Sequence, residues 1–368
     1  MNPYDFVRVD WARQPERHRP KPHDRFDGLS GRISGTLTTL TPLFLPAKGP
    51  TGLPLLDMNG ATQFSQSQAY VTADNPKGYF IAGSSLKGLF RSLVETVAQG
   101  CFWFFDGEYK SKKDGQEILT DYMAKIPRPF KRCSDPDHLC PACRLFGLIE
   151  GDVHRLGNVG FDDAVCTDVR PHDAIFTVAL DNPKPRHERW YLQSNKIAGR
   201  KLYFHSGELL TEGELKKTRR GVALNAHIHP LDAGSTFSFA ANFTNLCEDD
   251  LSALLYAVVL EETVRHKFGY AKPCGLGSIH VQLTGLTLRN PLERYQGGKG
   301  AGVFEGESLT AELGRRTTPF ATSISPITLE DLRRIWRWPP MPGVTFRYPT
   351  QGQFADHQHD PISSTDTW

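Results

Sequence analysis

The stretch that most constrains this chain runs from Tyr79 to Glu95, YFIAGSSLKGLFRSLVE, and reads as a strand end, a tight glycine turn and an immediate helix. Leu86, Leu89, Phe90, Leu93, Val94 and Val97 recur at the spacing that puts one apolar stripe on a helix. Lys87 and Arg91 share the opposite face. Gly83 admits a sharp entry without a Cβ, and Ser84 or Ser85 can cap the first-turn N–H groups. Free N–H groups, a positive helix end, two hydroxyls and a Lys/Arg pair describe a seat for a phosphate. They equally describe an ordinary capped amphipathic helix.

The 368 residues suffice for one large domain with insertions. Lys and Arg total 43 against 41 Asp and Glu, so any nucleic-acid surface must come from local clustering. Such clustering occurs between Lys184 and Arg220, where ten Lys and Arg, among them Arg200 and Lys201, face four Glu. No apolar run approaches the roughly 18 residues of a membrane span, and the polar N-terminus is unlike a signal peptide, so a cytoplasmic protein is expected. Residues 1–30 read as an extended arm crossing a neighbouring surface, or as a disordered terminus.

Four strands and two helices follow in order. GRISGTLTTLTPLFLP from Gly31 is the first strand, the helix after Gly83 comes next, and GNVGFDDAVCTDV is the second strand. Residues 170–235 form a basic insertion. Thr236 to Phe243 alternates, with Phe237, Phe239, Ala241 and Phe243 on one face, and Leu251, Leu254, Leu255 and Val258 mark a second helix after an acidic start. Ile279, Val281 and Leu283 alternate in a last strand. This succession predicts an α+β, ferredoxin-like β-α-β-β-α-β core over 31–290, with insertions at 100–150 and 170–235. The aromatic signature of an ordinary RNA-recognition motif is absent. Residues 291–368 read as a C-terminal extension with a short helix in SPITLEDLRRIWRWPP and a disordered end from about Gln351.

Three of the seven cysteines lie within eleven residues. Cys133, His138, Cys140 and Cys143 give C-x4-H-x-C-x2-C, enough ligands for a closed tetrahedral zinc site, with Cys101 or a distant His as substitutes for His138. The alternative is a redox pair, but the strand and helix of a thioredoxin-like unit are missing. Lys272, Gly275 and Gly277 lie in KPCGLGS, whose amides could approach a phosphate, or which is simply a turn between helix and strand. In the long loop after the first strand, Asp57 and Asp74 are candidates for metal or water, against ordinary turn chemistry. No Walker, Gly-x-Ser-x-Gly or HExxH motif is present.

GRISGTLTTLTPLF, IAGSSLKGLFRSLVE, CPACRLFG and KPCGLGSIHV, in that succession over roughly residues 20–350, resemble the RAMP superfamily of CRISPR-associated proteins. The closest resemblance is to backbone subunits of type III-like, or related type VII, effector complexes. DNPKPRHERWYLQ and IAGRKLYFH are similar to SPKP-like and GRKFYWH-like segments of one subgroup. The resemblance implies that copies of the chain stack along a guide RNA (crRNA), with a thumb-like hairpin kinking it, and present it to target RNA beside other subunits. A separate nuclease is among those subunits. By position it places Ser84, Ser85, Lys87, Arg91, Lys272, Gly275 and Gly277 on the guide and reads the cysteine cluster as structural zinc. Cleaving members carry an acidic residue in the loop after the first strand, where Asp57 is nearest; Mg²⁺ would then be needed. The rival readings are a metal-dependent endoribonuclease acting through Asp57, and a zinc-stabilised scaffold whose basic insertion binds an acidic protein.

Overall fold

A computed structural model describes residues 1–49, 52–102, 108–113, 116–179, 188–290, 293, 295–297, 300–357 and 360. Along the chain we label β1 (Tyr4–Val7), β2 (Leu29–Thr39), β3 (Phe80–Ile81), α1 (Gly83–Val97), α2 (Pro141–Phe146), β4 (Val159–Phe161) and β5 (Ala164–Asp168). Next come β6 (Ile175–Thr177), β7 (Arg200–Tyr203), β8 (Thr211–Glu212), β9 (His227–Ile228), β10 (Thr236–Leu246) and α3 (Glu248–Val259). The chain continues through β11 (His266–Lys267), β12 (Ser278–Arg289), β13 (Ala301–Phe304), α4 (Gly306–Ser323), α5 (Pro326–Ile335) and α6 (Gln351–His357).

The central antiparallel sheet runs β11-β12-β2-β10-β5-β3, with β4 also on β10 and β13 also on β12. Its four main strands are the four expected from the sequence, and they lie fourth, first, third, second across the sheet, with α1 and α3 as the two connecting helices. The chain therefore folds as a mixed α+β protein with the ferredoxin-like order of elements.

Register explains two strand glycines. Gly35 lies opposite Phe239 and Gly31 opposite Phe243. A Cβ at Gly31 would stand 2.0 Å from the Thr287 carbonyl oxygen and 2.7 Å from the Phe243 ring, and one at Gly35 2.4 Å from the Gln282 carbonyl oxygen. The rings thus fill space that only glycine leaves, on the face where Ile33, Leu37, Phe237 and Ala241 are fully buried. On β12 the register shifts between Leu283 and Gly285, which returns Leu286 to the core after the alternation from Ile279 has run out. Helices α1 and α3 pack on each other, on β4 and on β12. Leu86, Phe90, Leu93, Val94 and Val97 form the buried stripe of α1.

The N-terminal arm lies on its own chain and is ordered. Tyr4–Val7 pairs with Arg200–Tyr203 of the basic insertion. Arg8 donates from its backbone N and its Nε to Asp331 Oδ2 of α5, at 2.9 and 2.7 Å. The C-terminal region is more helical than the sequence suggested: α4, entered through a Glu305/Ser308 capping box, packs on α3, and α6 occupies residues expected to be disordered. Residues 361–368 lie outside the described residues. No helix among the described residues is long and apolar enough to cross a membrane.

Two buried histidines make the fold acid-sensitive. His205 Nε2 donates to the Arg265 carbonyl (3.0 Å) and its Nδ1 lies 2.8 Å from Ser278 Oγ. His266 Nε2 donates to the Ala257 carbonyl at 2.8 Å, between the Phe90 and Trp336 rings. Burial lowers His205 to about 3 and His266 to about 4. Below pH 6.5 the unfolded chain takes up two protons that the fold refuses. Stability is therefore full above that value and falls by up to about 1.4 kcal/mol per pH unit for each histidine, down to about pH 4. Lys267, lowered by burial to about 7, acts only on the alkaline side, where it adds stability from about pH 7 towards 10.5. Urea midpoints at pH 7.0, 6.0 and 5.0 should fall with pH, and His266→Phe should flatten the slope; a flat wild-type profile contradicts this.

Candidate functional site

Cys101, just beyond α1, Cys133 in a loop, Cys140 at the start of α2 and Cys143 within α2 converge with their sulfurs all within 4.8 Å of one another. All four are fully buried and free of disulfides. The Cys101 and Cys143 sulfurs are 3.7 Å apart, and a tetrahedral zinc with bonds of about 2.3 Å needs sulfurs about 3.8 Å apart. Backbone N–H groups already point at sulfur, from Cys101 to Cys140 Sγ at 3.5 Å and from Cys140 to Cys133 Sγ at 3.4 Å. The sulfur contacts of Cys101, Cys133 and Cys143 hold the Cys140 thiol well below its ordinary range. Four soft ligands in a closed shell, with no place for water, fit a structural metal ion. His138 is not part of the cluster. Its exposed ring is turned away by Asp135, whose Oδ2 is 2.7 Å from Nδ1, and Cys101 takes the fourth position.

The cluster also redefines Arg91 and Arg200. Arg91 Nη2 reaches Cys143 Sγ at 3.4 Å, its Nη1 donates to the Gly147 carbonyl at 2.7 Å and its Nε to Glu95 Oε1 at 2.9 Å. Arg200 donates to the Gly100 and Cys101 carbonyls at 2.6 and 3.1 Å, pairs with Glu95 Oε2 at 3.4 Å and lies over the Phe102 ring. Burial pushes the Glu95 carboxyl up, opposed by Arg200 and Arg91. Both arginine side chains are largely buried.

The anion seat at the start of α1 is partly filled from within. Gly83 N–H donates to Asp163 Oδ1 at 2.7 Å, and a Cβ at Gly83 would stand 2.2 Å from the Phe161 carbonyl oxygen, so this glycine serves close packing on β4. Ser84 is exposed, and Ser85 and Lys87 are half-buried beside it. The glycines of the late loop are likewise explained by backbone: a Cβ at Gly275 would meet the Glu208 carbonyl oxygen at 2.2 Å and one at Gly277 that of Phe268 at 1.8 Å, both at positive φ. Lys272 donates to the Gly269 carbonyl at 2.7 Å. The Lys201 ammonium stands 3.6 Å from the Tyr4 ring centroid, lowered by burial to about 8.

Asp57 Oδ1 accepts from the Asn59 and Ala61 N–H groups at 2.9 and 2.8 Å, and its Oδ2 is 2.6 Å from His229 Nε2. The Ala61 N–H, then His229, keep its carboxyl below the usual range. Asp74 is exposed. A cationic surface lies elsewhere, at the tip of the insertion. There Lys217 bridges to Ala223 across a tight hairpin, and Lys217, Arg219 and Arg220 are exposed with no ion pair to any described residue. Lys216 is held by Glu214 at 2.9 Å. The run KKTRR announces this feature in sequence; only its place at a hairpin tip does not follow from the run.

The family model of the RAMP superfamily matches residues 36–257, well over half of the chain. The chain belongs to the RAMP superfamily. Its RAMP match begins in the last residues of β2, spans α1, the four cysteines, the basic insertion, β10 and nearly all of α3, and indicates a CRISPR-associated RNA-binding role. No curated protein matches the chain.

Proposed function

We propose that this RAMP protein is a guide-RNA-binding backbone subunit of a type III-related CRISPR effector, present in several copies and holding the guide for pairing with target RNA. The observation that carries this reading is the exposed cationic tip Lys217, Arg219 and Arg220, which makes no ion pair with any described residue and projects from a core of the RAMP class. Exposed arginines and lysines without internal partners hold phosphates irrespective of sequence, and base pairing to the guide then supplies specificity. Ser84, Ser85 and Lys87 offer a second, weaker line of contact. The cysteine cluster holds a structural zinc ion, which supplies folding energy and no chemistry on RNA.

Target cleavage falls to another subunit. Mg²⁺ usually takes one or two carboxylates together with phosphate oxygens, and Asp57 already accepts two N–H groups on Oδ1 and holds His229 through Oδ2. Guide-loaded protein given labelled target RNA and Mg²⁺ should leave the target intact. Evenly spaced cuts that vanish on Asp57→Asn would contradict this and make Asp57 the catalyst.

A further inference from the structure

A satellite of the core carries surface charge of one sign. Residues 122–132 and 192–197 hold five Lys and Arg and no Asp or Glu. They meet over a small apolar cluster of Val9, Phe102, Ile126, Phe130 and Ile197. In the hairpin at 192–197, Leu192 pairs with Ile197 and Gln193 with Lys196, and the alternation buries Ile197 while sending Lys196 to the surface. Its two turn residues, Ser194 and Asn195, both have positive φ, 47° and 61°, as a type I′ hairpin turn requires. Lys125 donates to Asn195 Oδ1 and so joins the two segments. The Lys196 ammonium stands 5.9 Å from the Trp11 ring centroid, and that ring meets Phe130 edge-on at 4.9 Å. Arg17 donates to the Pro129 and Lys131 carbonyls at 2.9 and 2.7 Å, which brings a further positive charge to the same patch.

Arg128, Lys131 and Lys196 are exposed and make no ion pair with any described residue. Arg132 pairs with Glu150 at 3.5 Å. On the arm that carries Trp11, Asp10 accepts from the Ala12 N–H and the Ser325 hydroxyl, and Glu16 stands 3.8 Å from His18, so both carboxylates have other partners. The large apolar side chains of the two segments are buried or half-buried, and none of the exposed large apolar residues belongs to them. A protein partner needs an apolar centre depleted of charge, whereas a phosphate chain needs cations alone. Resting on the guide-binding reading above, we propose that this patch holds a second stretch of the guide RNA, with Arg128, Lys131 and Lys196 on its phosphates. The tip Lys217, Arg219 and Arg220 lies between β8 and β9 of another sheet. A strand that crosses both surfaces is held at two places, and since phosphates carry no sequence information, any guide is held equally.

The test separates the two surfaces. Full-length wild type, R128S/K131S/K196S, the tip variant K217S/R219S/R220S and their combination are titrated with labelled single-stranded guide RNA across a range of salt concentrations. The patch variant should bind about 100-fold more weakly near about 0.1 M salt, with the slope of log K against log salt flattened by about 2, at about 0.7 per lost phosphate contact. The combination should flatten it by about 4. All three patch side chains are exposed, so the urea midpoint should match that of the wild type. If the triple variant is insoluble, R128S/K131S decides, with a slope change of about 1.4. A patch variant with the wild-type slope overturns the proposal and, where the tip variant does lose slope, leaves the guide-binding reading standing. A patch variant that holds guide normally and loses only target RNA, or only polyglutamate, also overturns it, by assigning the surface to the target strand or to an acidic protein. A wild type that binds no RNA overturns both readings together.

Discussion

Cys140→Ser with Cys143→Ser is expected to abolish folding, yielding insoluble protein or a chain without a cooperative unfolding transition. The four sulfurs are fully buried and belong to the same apolar core as Leu93, Val97 and Phe90. A structural zinc in such a site contributes on the order of 10 kcal/mol or more, about the whole net stability of a typical domain. Two serines would replace two thiolate ligands with poor ones and leave Arg91 and Arg200 beside a centre stripped of its negative charge. Metal analysis of the wild type should return about one zinc per chain. A metal-free wild type with an unchanged urea midpoint would contradict the assignment.

The second large effect concerns RNA. Replacing Lys217, Arg219 and Arg220 with serine should weaken guide binding about 100-fold near 0.1 M salt and flatten the slope of log K against log salt by about 2, at about 0.7 per lost phosphate contact. The loss should be the same for unrelated guide sequences. These side chains are exposed and make no ion pair with the described residues, so the urea midpoint should hardly move. An unchanged slope would show that the tip is only a solvated loop.

Much of the core was legible because periodicity survives burial. The stripe on α1 and the Phe237, Phe239, Ala241, Phe243 face of β10 are both where the spacing put them. Helix α4 was not, since Gly306, Gly314 and Pro319 dilute its pattern and its capping box uses an acidic residue followed by serine. At the metal centre the C-x2-C bite is local and readable. The fourth ligand is a matter of tertiary structure: Cys101 is far in sequence and brought close by α1, while the nearer His138 is turned outward by Asp135. Arg91 illustrates the same limit. Helical spacing placed it on a polar face, but the cysteine segment covers that face and converts a surface cation into an interior one. In KPCGLGS a glycine that meets backbone carries the same sequence signal as a glycine that meets phosphate.

The central claim, a subunit that repeats along a guide, is tested most directly by native mass spectrometry of the chain assembled on guide RNAs of two lengths. The account predicts that the longer guide carries more copies, in proportion to the added nucleotides and independently of their sequence. The same small number of copies on both guides, or binding confined to one sequence, would contradict it.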